Sequence, residues 1–421
     1  MRQPPTSARL LAYQQLKEVL DHRFPLSELK AGEEKPEDQA QSLRLVRGVL
    51  RYLSRINAVL AHYLEKRPPN RVMRILQIGA YEVLVEGQAA HAVVDQAVRL
   101  AQSHNSTAGF KGLVNAVLRK VTTDGAAHFA KTKPSPLPKA FRGQMKAYDE
   151  EDFERIETAH EKGAPTDLTL RDRDHVKDWA KELGGELLPT GSIRLGSAPQ
   201  LSSLKGYSDG AWWVQDAAAA MPARLLEDLT GKRVLDICAA PGGKTMQLAA
   251  AGGDVTAIDI SEPRMKRVKD NLKRTNLDAT IVVGDALKFE ADKFDAILLD
   301  APCSASGTIR RHPDLPIQKS NLDLGALLEL QRELLRKSVS LLKPGGVLVY
   351  ATCSLFPAEG EAQAGFATRE LSLSASAVDA ETFGLDPSWQ PEPHLLRLRP
   401  DYWAERDGMD GFFMAKFEAL G

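Results

Sequence analysis

Cysteine is scarce in this 421-residue chain: there are three, and none falls in a CxxC or CxxH spacing. That excludes a disulfide framework and the common zinc knuckles, so no metal site is expected and a reducing cytoplasm is the natural setting. Long uncharged apolar runs are also missing, which argues against a membrane span and a membrane partner. The opening stretch MRQPPTSARLLAYQQ has no apolar core of the signal-peptide kind. Formal net charge is −1, so overall charge draws the chain toward no partner. A soluble cytoplasmic protein is expected, and a monomer.

Charge is nevertheless uneven. Residues 1–130 hold 18 Lys/Arg against 12 Asp/Glu, which leaves the remainder acidic by 7. Up to about residue 122 apolar residues recur every three or four positions, as in SARLLAYQQLKEVLD, AQSLRLVRGVLRYLSRINAVLAHYL and NRVMRILQIGAYEVLV. This period specifies an all-α bundle over 1–130. Asn70, after Pro68-Pro69, is a candidate cap. Arg44, Arg47, Arg51 and Arg55 recur at helical spacing and suggest a basic face suited to RNA backbone. Residues 131–164, with the Pro-rich KTKPSPLPKAFRG, read as a linker and connecting helix. Residues 165–230 read as a small α+β subdomain, in which Trp212 and Trp213 are expected to pack the seam.

From 231 to 421 apolar strands alternate with amphipathic helices, which predicts a parallel, Rossmann-like sheet covered on both faces. Ligands of such sheets bind beyond the carboxyl ends of the strands. The turn after the first strand is Cys238-Ala239-Ala240-Pro241-Gly242-Gly243-Lys244. Its glycines permit close backbone approach. It lacks the spacing of a P-loop and of G-x-G-x-x-G, which disfavours a nucleoside triphosphate and a dinucleotide. Acids recur at strand ends, as Asp236, Asp259, Asp285 and Asp300. Each could simply cap a following helix. Together beside a Gly-Gly turn they suit a ribose diol and an adenine amino group, and S-adenosylmethionine is the cofactor that fits.

Two cysteines close matching stretches, FDAILLDAPCSASGTIRRHPD and GGVLVYATCSLF. Cys303 and Cys353 each follow an apolar run and precede Ser, so both fall on the ligand rim. Carbon 5 of a pyrimidine becomes nucleophilic once a thiolate adds to carbon 6, and a base must later remove the carbon-5 proton. A cysteine pair near Asp300 supplies the groups such chemistry needs, but spacing does not rank the two. Cys238, inside the turn, is assigned to packing or cofactor contact.

LDICAAPGGKT, AIDIS, VVGDA, LLDAPCSASGTIRRHPD and VYATCS together closely resemble the RNA 5-methylcytosine methyltransferases. RILQIGAYEVL, AVVDQAVRLA and FKGLVNAVLR resemble NusB-like RNA-binding domains, and the combination resembles the Sun/RsmB (Fmu) family of 16S ribosomal RNA methyltransferases. The resemblance implies a class I methyltransferase domain in which residues 238–244, Asp259, Asp285 and Asp300 bind S-adenosylmethionine. It makes Cys353 the nucleophile, gives Cys303 a part in product release, and sets Lys244 near cofactor and base. The family's Leu-Arg-Val-Asn is LTLRDRD here, so Arg171 is matched as an RNA contact while Asp172 departs. Pro-Glu-Glu-Asn after the nucleophile is replaced by FPAEGE. Arg310 and Arg311, following Cys303, suit RNA phosphates. Other readings are a methyltransferase of tRNA or another rRNA site, a non-catalytic NusB-like antitermination factor and, more distantly, an NAD-dependent oxidoreductase.

Overall fold

The computed structural model describes residues 7–29, 34–196, 200–226 and 228–420, so the first six residues of the opening stretch lie outside them. The chain divides into two compact units. One comprises 1–143, 148–163 and 309–321, the other 144–147, 164–308 and 322–421.

The first unit is helical. Its main helices are Ser7–His22, Pro36–Arg51, Leu53–Tyr63, Asn70–Leu84, Ala90–Gln102 and Lys111–Phe129. Leu16, Leu45, Val49, Ile56, Leu60, Leu76 and Leu118 are buried in one core, as the helical period predicts. Asn70 does not cap its helix: Pro69 occupies that place, and the Asn70 amide donates to Asp21. The long basic stretch breaks at Tyr52, so Arg55 stands on a different helix from Arg44, Arg47 and Arg51. Arg55 donates to Glu161 at 2.8 Å and covers the Phe129 ring, while Arg51 donates to the Arg310 carbonyl at 3.0 Å. Only Arg44 and Arg47 of the expected basic face are exposed. The expected linker carries two helices, Lys139–Gln144 and Glu150–Lys162, and most of 131–164 belongs to this unit.

The second unit opens with a small antiparallel sheet, formed by β1 (Thr166–Leu170), β2 (Glu186–Leu187), β3 (Ile193–Leu195) and β4 (Trp212–Val214) in the order β2-β3-β1-β4. Alternation along β4 sends successive side chains to opposite faces. Trp212 packs with Leu168 and Ile193, and Trp213 packs with Ala240, Met246 and Val268 of the larger layer. The two tryptophans thus join the layers at the seam.

The large sheet contains β5 (Arg233–Ile237), β6 (Asp254–Asp259), β7 (Thr280–Val283), β8 (Phe294–Asp300), β9 (Leu342–Thr352), β10 (Leu373–Ala375), β11 (Leu395–Leu398) and β12 (Phe412–Ala419). Its order is β10-β12-β9-β8-β5-β6-β7, with β11 also pairing β12. Strands β5 to β9 are parallel, as their alternation with helices requires. The Rossmann-like sheet is completed at one edge by β12, which runs antiparallel to β9, β10 and β11. Among the described residues no helix is long and apolar enough to cross a membrane.

Candidate active site

Parallel pairing brings the carboxyl ends of β5, β6, β7, β8 and β9 to one rim. Asp300 sits opposite Ala351, so the turns that follow β8 and β9 begin side by side. Cys303 and Cys353 emerge from those turns as free thiols, with their sulfurs 3.4 Å apart.

The residues after each cysteine explain why the two Cys-Ser steps match. Ser304 Oγ and Ser306 Oγ lie 3.1 and 3.2 Å from Ser354 Oγ. Beneath them is Glu359, fully buried, which accepts the Ser354 hydroxyl at 2.5 Å, the Ser304 N–H at 2.9 Å and the Gln331 amide at 3.1 Å. One carboxylate therefore fastens both cysteine turns. Gly307 adds a backbone tie, donating its N–H to the Cys353 carbonyl at 3.0 Å and accepting the Gly411 N–H at 2.8 Å. The sequence reading missed these supports. Glu359 stands in FPAEGE, the segment that departs from the family pattern, and only the fold carries it under both turns.

Lys244, in the first turn of the helix Gly243–Ala250, donates to Asp300 at 2.8 Å and lies 5.0 Å from the centre of the Phe412 ring. Burial alone would lower its pKa, but Asp300, and then Cys353 and Asp236, outweigh burial and raise it. A cation is thus fixed close to Cys353. The Cys303 thiol is pushed well up, first by its hydrogen bond to Cys353 and then by burial. Either sulfur can act as the donor in this contact. Cys238 is pushed up to about 12 by burial and by Asp259, Asp300 and Asp236, which suits packing and makes it a poor nucleophile.

The cofactor turn places Gly242 at φ +99°, a left-handed backbone that favours glycine, directly before the helix. Asp259 accepts the Ser261 N–H at 2.9 Å and the Ala240 N–H at 3.2 Å, drawing the ends of β5 and β6 together. Asp285 caps the turn after β7 through the Leu287 N–H. Asp285 therefore does cap, while Asp259 ties two strand ends together and pairs with Arg264 at 3.6 Å, yet carboxylates so engaged keep acceptor capacity for a ligand. Beside them Ile260 is 76% exposed and Val283 49% exposed, an uncovered apolar pair that suits a flat base. This combination fits an adenosyl group, with Asp259 and Asp285 as acceptors for its hydroxyl and amino hydrogens. Asp236 is apart from the rim: it is fully buried, accepts the Thr245 hydroxyl at 2.6 Å, and is pushed up to about 7 mainly by burial.

Of the three expected RNA contacts, Arg171 lies half-buried after β1 and donates to the Thr275 carbonyl at 2.9 Å. Arg311 is partly exposed. Arg310 is corrected: its side chain is completely buried in the first unit, so a phosphate cannot reach it, and its bulk belongs to packing.

A family model described as "16S rRNA methyltransferase RsmB/F" matches residues 223–418, and one for the NusB family matches 6–123. The chain is 35% identical over 440 aligned residues to ribosomal RNA small subunit methyltransferase B of Pseudomonas syringae pv. tomato, covering 97% of this chain and 96% of that one. The Vibrio cholerae protein of the same name is 34% identical, again with 97% of this chain covered. Among solved structures, PH0851 superposes with a TM-score of 0.73 over 99% of both chains at 22% identity. A methyltransferase homolog protein from Pyrococcus horikoshii is 31% identical, with a TM-score of 0.55 over 67% of this chain and 95% of that one. With a cofactor turn, an acid-lined rim and a helical partner unit all in place, the chain belongs to the 16S rRNA methyltransferase RsmB/F family and is an S-adenosylmethionine-dependent rRNA methyltransferase.

Proposed function

We propose that the chain forms 5-methylcytosine in 16S ribosomal RNA through a covalent adduct between Cys353 and carbon 6 of the target cytosine. The observation that carries this reading is the pair of free thiols 3.4 Å apart, beside an ion pair between buried Lys244 and partly exposed Asp300.

Cys353 acts as the thiolate, accepting from the Cys303 thiol and facing the Lys244 cation. Its sulfur bonds to carbon 6, the carbon 5–carbon 6 double bond opens, and Asp300 hydrogen-bonds the polar edge of the ring. S-adenosylmethionine, when bound, supplies the electrophilic methyl group that carbon 5 takes. A base then removes the carbon-5 proton; those electrons restore the double bond and expel the Cys353 thiolate. Cys303 is suited to that base role at this stage only. Once the Cys353 sulfur is bonded to carbon, Cys303 no longer shares its proton with a neighbouring thiolate 3.4 Å away; it releases that proton to solvent and can then take the carbon-5 proton. Lys244 holds Asp300 in place throughout and offsets charge at both sulfurs.

The test is nucleoside analysis after incubation with S-adenosylmethionine and 16S rRNA, 30S particles or tRNA. Methyl groups recovered as 5-methylcytidine from 16S rRNA alone would support the reading. Methyl on another base, or on tRNA instead, would overturn it.

A further inference from the structure

Arg224 ends the helix Ala217–Arg224 with only 8% of its surface exposed. No carboxylate among the described residues pairs with it, and its Nε has no hydrogen-bond partner. Burial, and then the proximity of Arg173, lowers its pKa to about 9. Buried cations ordinarily carry a counter-charge, and this one has a second cation instead. A methyl group built on Gly191 would lie 3.5 and 3.6 Å from the terminal nitrogens of Arg224 and 3.9 Å from Nη2 of Arg173, so the two guanidinium groups converge. The hydroxyls of Thr190 and Ser192, flanking that glycine, and of Thr169 are likewise buried without a partner.

A cavity of about 540 Å³ opens here, lined by Thr169, Arg171, Arg173 and Arg224 among others. Asp172, Asp174 and Asp228 also line it, but Asp172 is engaged by the His175 ring at 2.9 Å and by the Asp174 N–H at 3.0 Å. The cavity is distinct from the cofactor rim. The helix Gly243–Ala250 begins at the cofactor turn and lines the cavity with Gln247, Ala250 and its C-cap Ala251, about 6 to 12 Å along its axis.

We propose that this cavity binds a phosphate-class oxyanion, held by the guanidinium groups of Arg224 and Arg173 with the Thr169 hydroxyl as a further donor, and that a backbone phosphate of the substrate RNA is its occupant. The choice of occupant rests on the RNA-methylating function proposed above; the oxyanion site does not. Guanidinium forks match phosphate oxygens in pairs, and a phosphate would supply the missing counter-charge together with acceptors for the orphaned donors.

The experiment compares full-length wild type, Arg224→Met, Arg224→Lys and Arg173→Gln in two arms. In the first, inorganic phosphate is titrated while thermal unfolding and heat of binding are followed. Wild type should gain a saturable rise in midpoint, and Arg224→Met should lose it. In the second, affinity for a 16S transcript is measured across a salt series. Arg224→Met should flatten the slope of log K against log salt by about 1, with S-adenosylmethionine affinity unchanged. A lost phosphate effect with an unchanged slope overturns the RNA occupant and leaves a site for free phosphate. An identical phosphate response in wild type and Arg224→Met overturns the site, leaving Arg224 as a cation at a helix C-terminus. Arg173 is exposed, so Arg173→Gln carries the same comparisons if Arg224→Met fails to fold. If wild type neither binds nor methylates RNA, the functional reading fails while the phosphate arm still decides the site.

Discussion

Replacing Glu359 with Ala removes the single carboxylate that fastens the Cys303 and Cys353 turns. Three donors lose their acceptor: the Ser354 hydroxyl, the Ser304 N–H and the Gln331 amide. The Ser354 hydroxyl can rotate toward Ser304 or Ser306, both within 3.2 Å, so its loss is small. The other two are held in a buried site, and the NH2 group of Gln331 keeps only its bond to the Pro302 carbonyl at 2.9 Å. An unsatisfied buried donor costs about 1–3 kcal/mol, so Glu359→Ala should destabilise the protein by about 2–6 kcal/mol. A catalytic loss should accompany the stability loss, because both thiols lose their register; misplacement on the order of 1 Å costs about a hundredfold in rate, or about 2.7 kcal/mol. Glu359→Gln keeps the shape and one acceptor oxygen, and Ser354 can accept from the new amide. It should cost about 1–2 kcal/mol, the difference between a charge-assisted and a neutral hydrogen bond. Denaturant unfolding gives the stabilities, and single-turnover methyl transfer at saturating S-adenosylmethionine gives the rates. A Glu359→Ala protein less than about 1 kcal/mol weaker than wild type, with an unchanged rate, would refute this reasoning.

Asp236 titrates near 7 when folded, against about 4 unfolded, so the folded state holds its proton longer. Its contribution is full below pH about 4 and is lost as pH rises toward 7, by up to about 4 kcal/mol. Wild type should therefore weaken relative to Asp236→Asn across that window, and parallel melting curves would contradict it. Asp300→Asn removes the main group holding the Lys244 pKa up, leaving burial to lower it. The basic limb of the pH–rate profile should move to lower pH, with a large loss of rate; an unmoved limb would show that Lys244 is not the titrating group. Arg310→Ala should lower the melting temperature by several degrees with little effect on RNA affinity, since this side chain is fully buried; Arg311→Ala should do the reverse.

Much of this architecture is written in local pattern. Strands β5 to β9 and the helices between them carry the apolar runs and periods that a parallel sheet demands, and the rim follows from the sheet. The edge strands were harder to read. FFMAKFEA is apolar enough for a strand, but its partner β9 lies some sixty residues earlier, and no periodicity encodes an antiparallel return across that distance. The cofactor turn and the cysteine pair were legible because their residue types are rare and tied to chemistry. Glu359 was not, because a lone glutamate after a turn looks like solvated charge until the fold places it under both cysteine turns. Arg310 misled for the complementary reason: a pair of arginines says nothing of which one faces inward. The break at Tyr52, which turns Arg55 onto another helix, has no Pro and only Gly48, one turn earlier inside the helix, to announce it.

The central claim is that Cys353 bonds to the substrate while Cys303 serves release, and adduct trapping tests it most directly. Wild type, Cys303→Ala and Cys353→Ala would be incubated with S-adenosylmethionine and 16S rRNA and resolved on denaturing gels. Cys303→Ala should accumulate a covalent protein–RNA band, and Cys353→Ala should give neither band nor methyl transfer. A band that persists in Cys353→Ala, or methyl transfer that survives the loss of Cys353, would contradict the account.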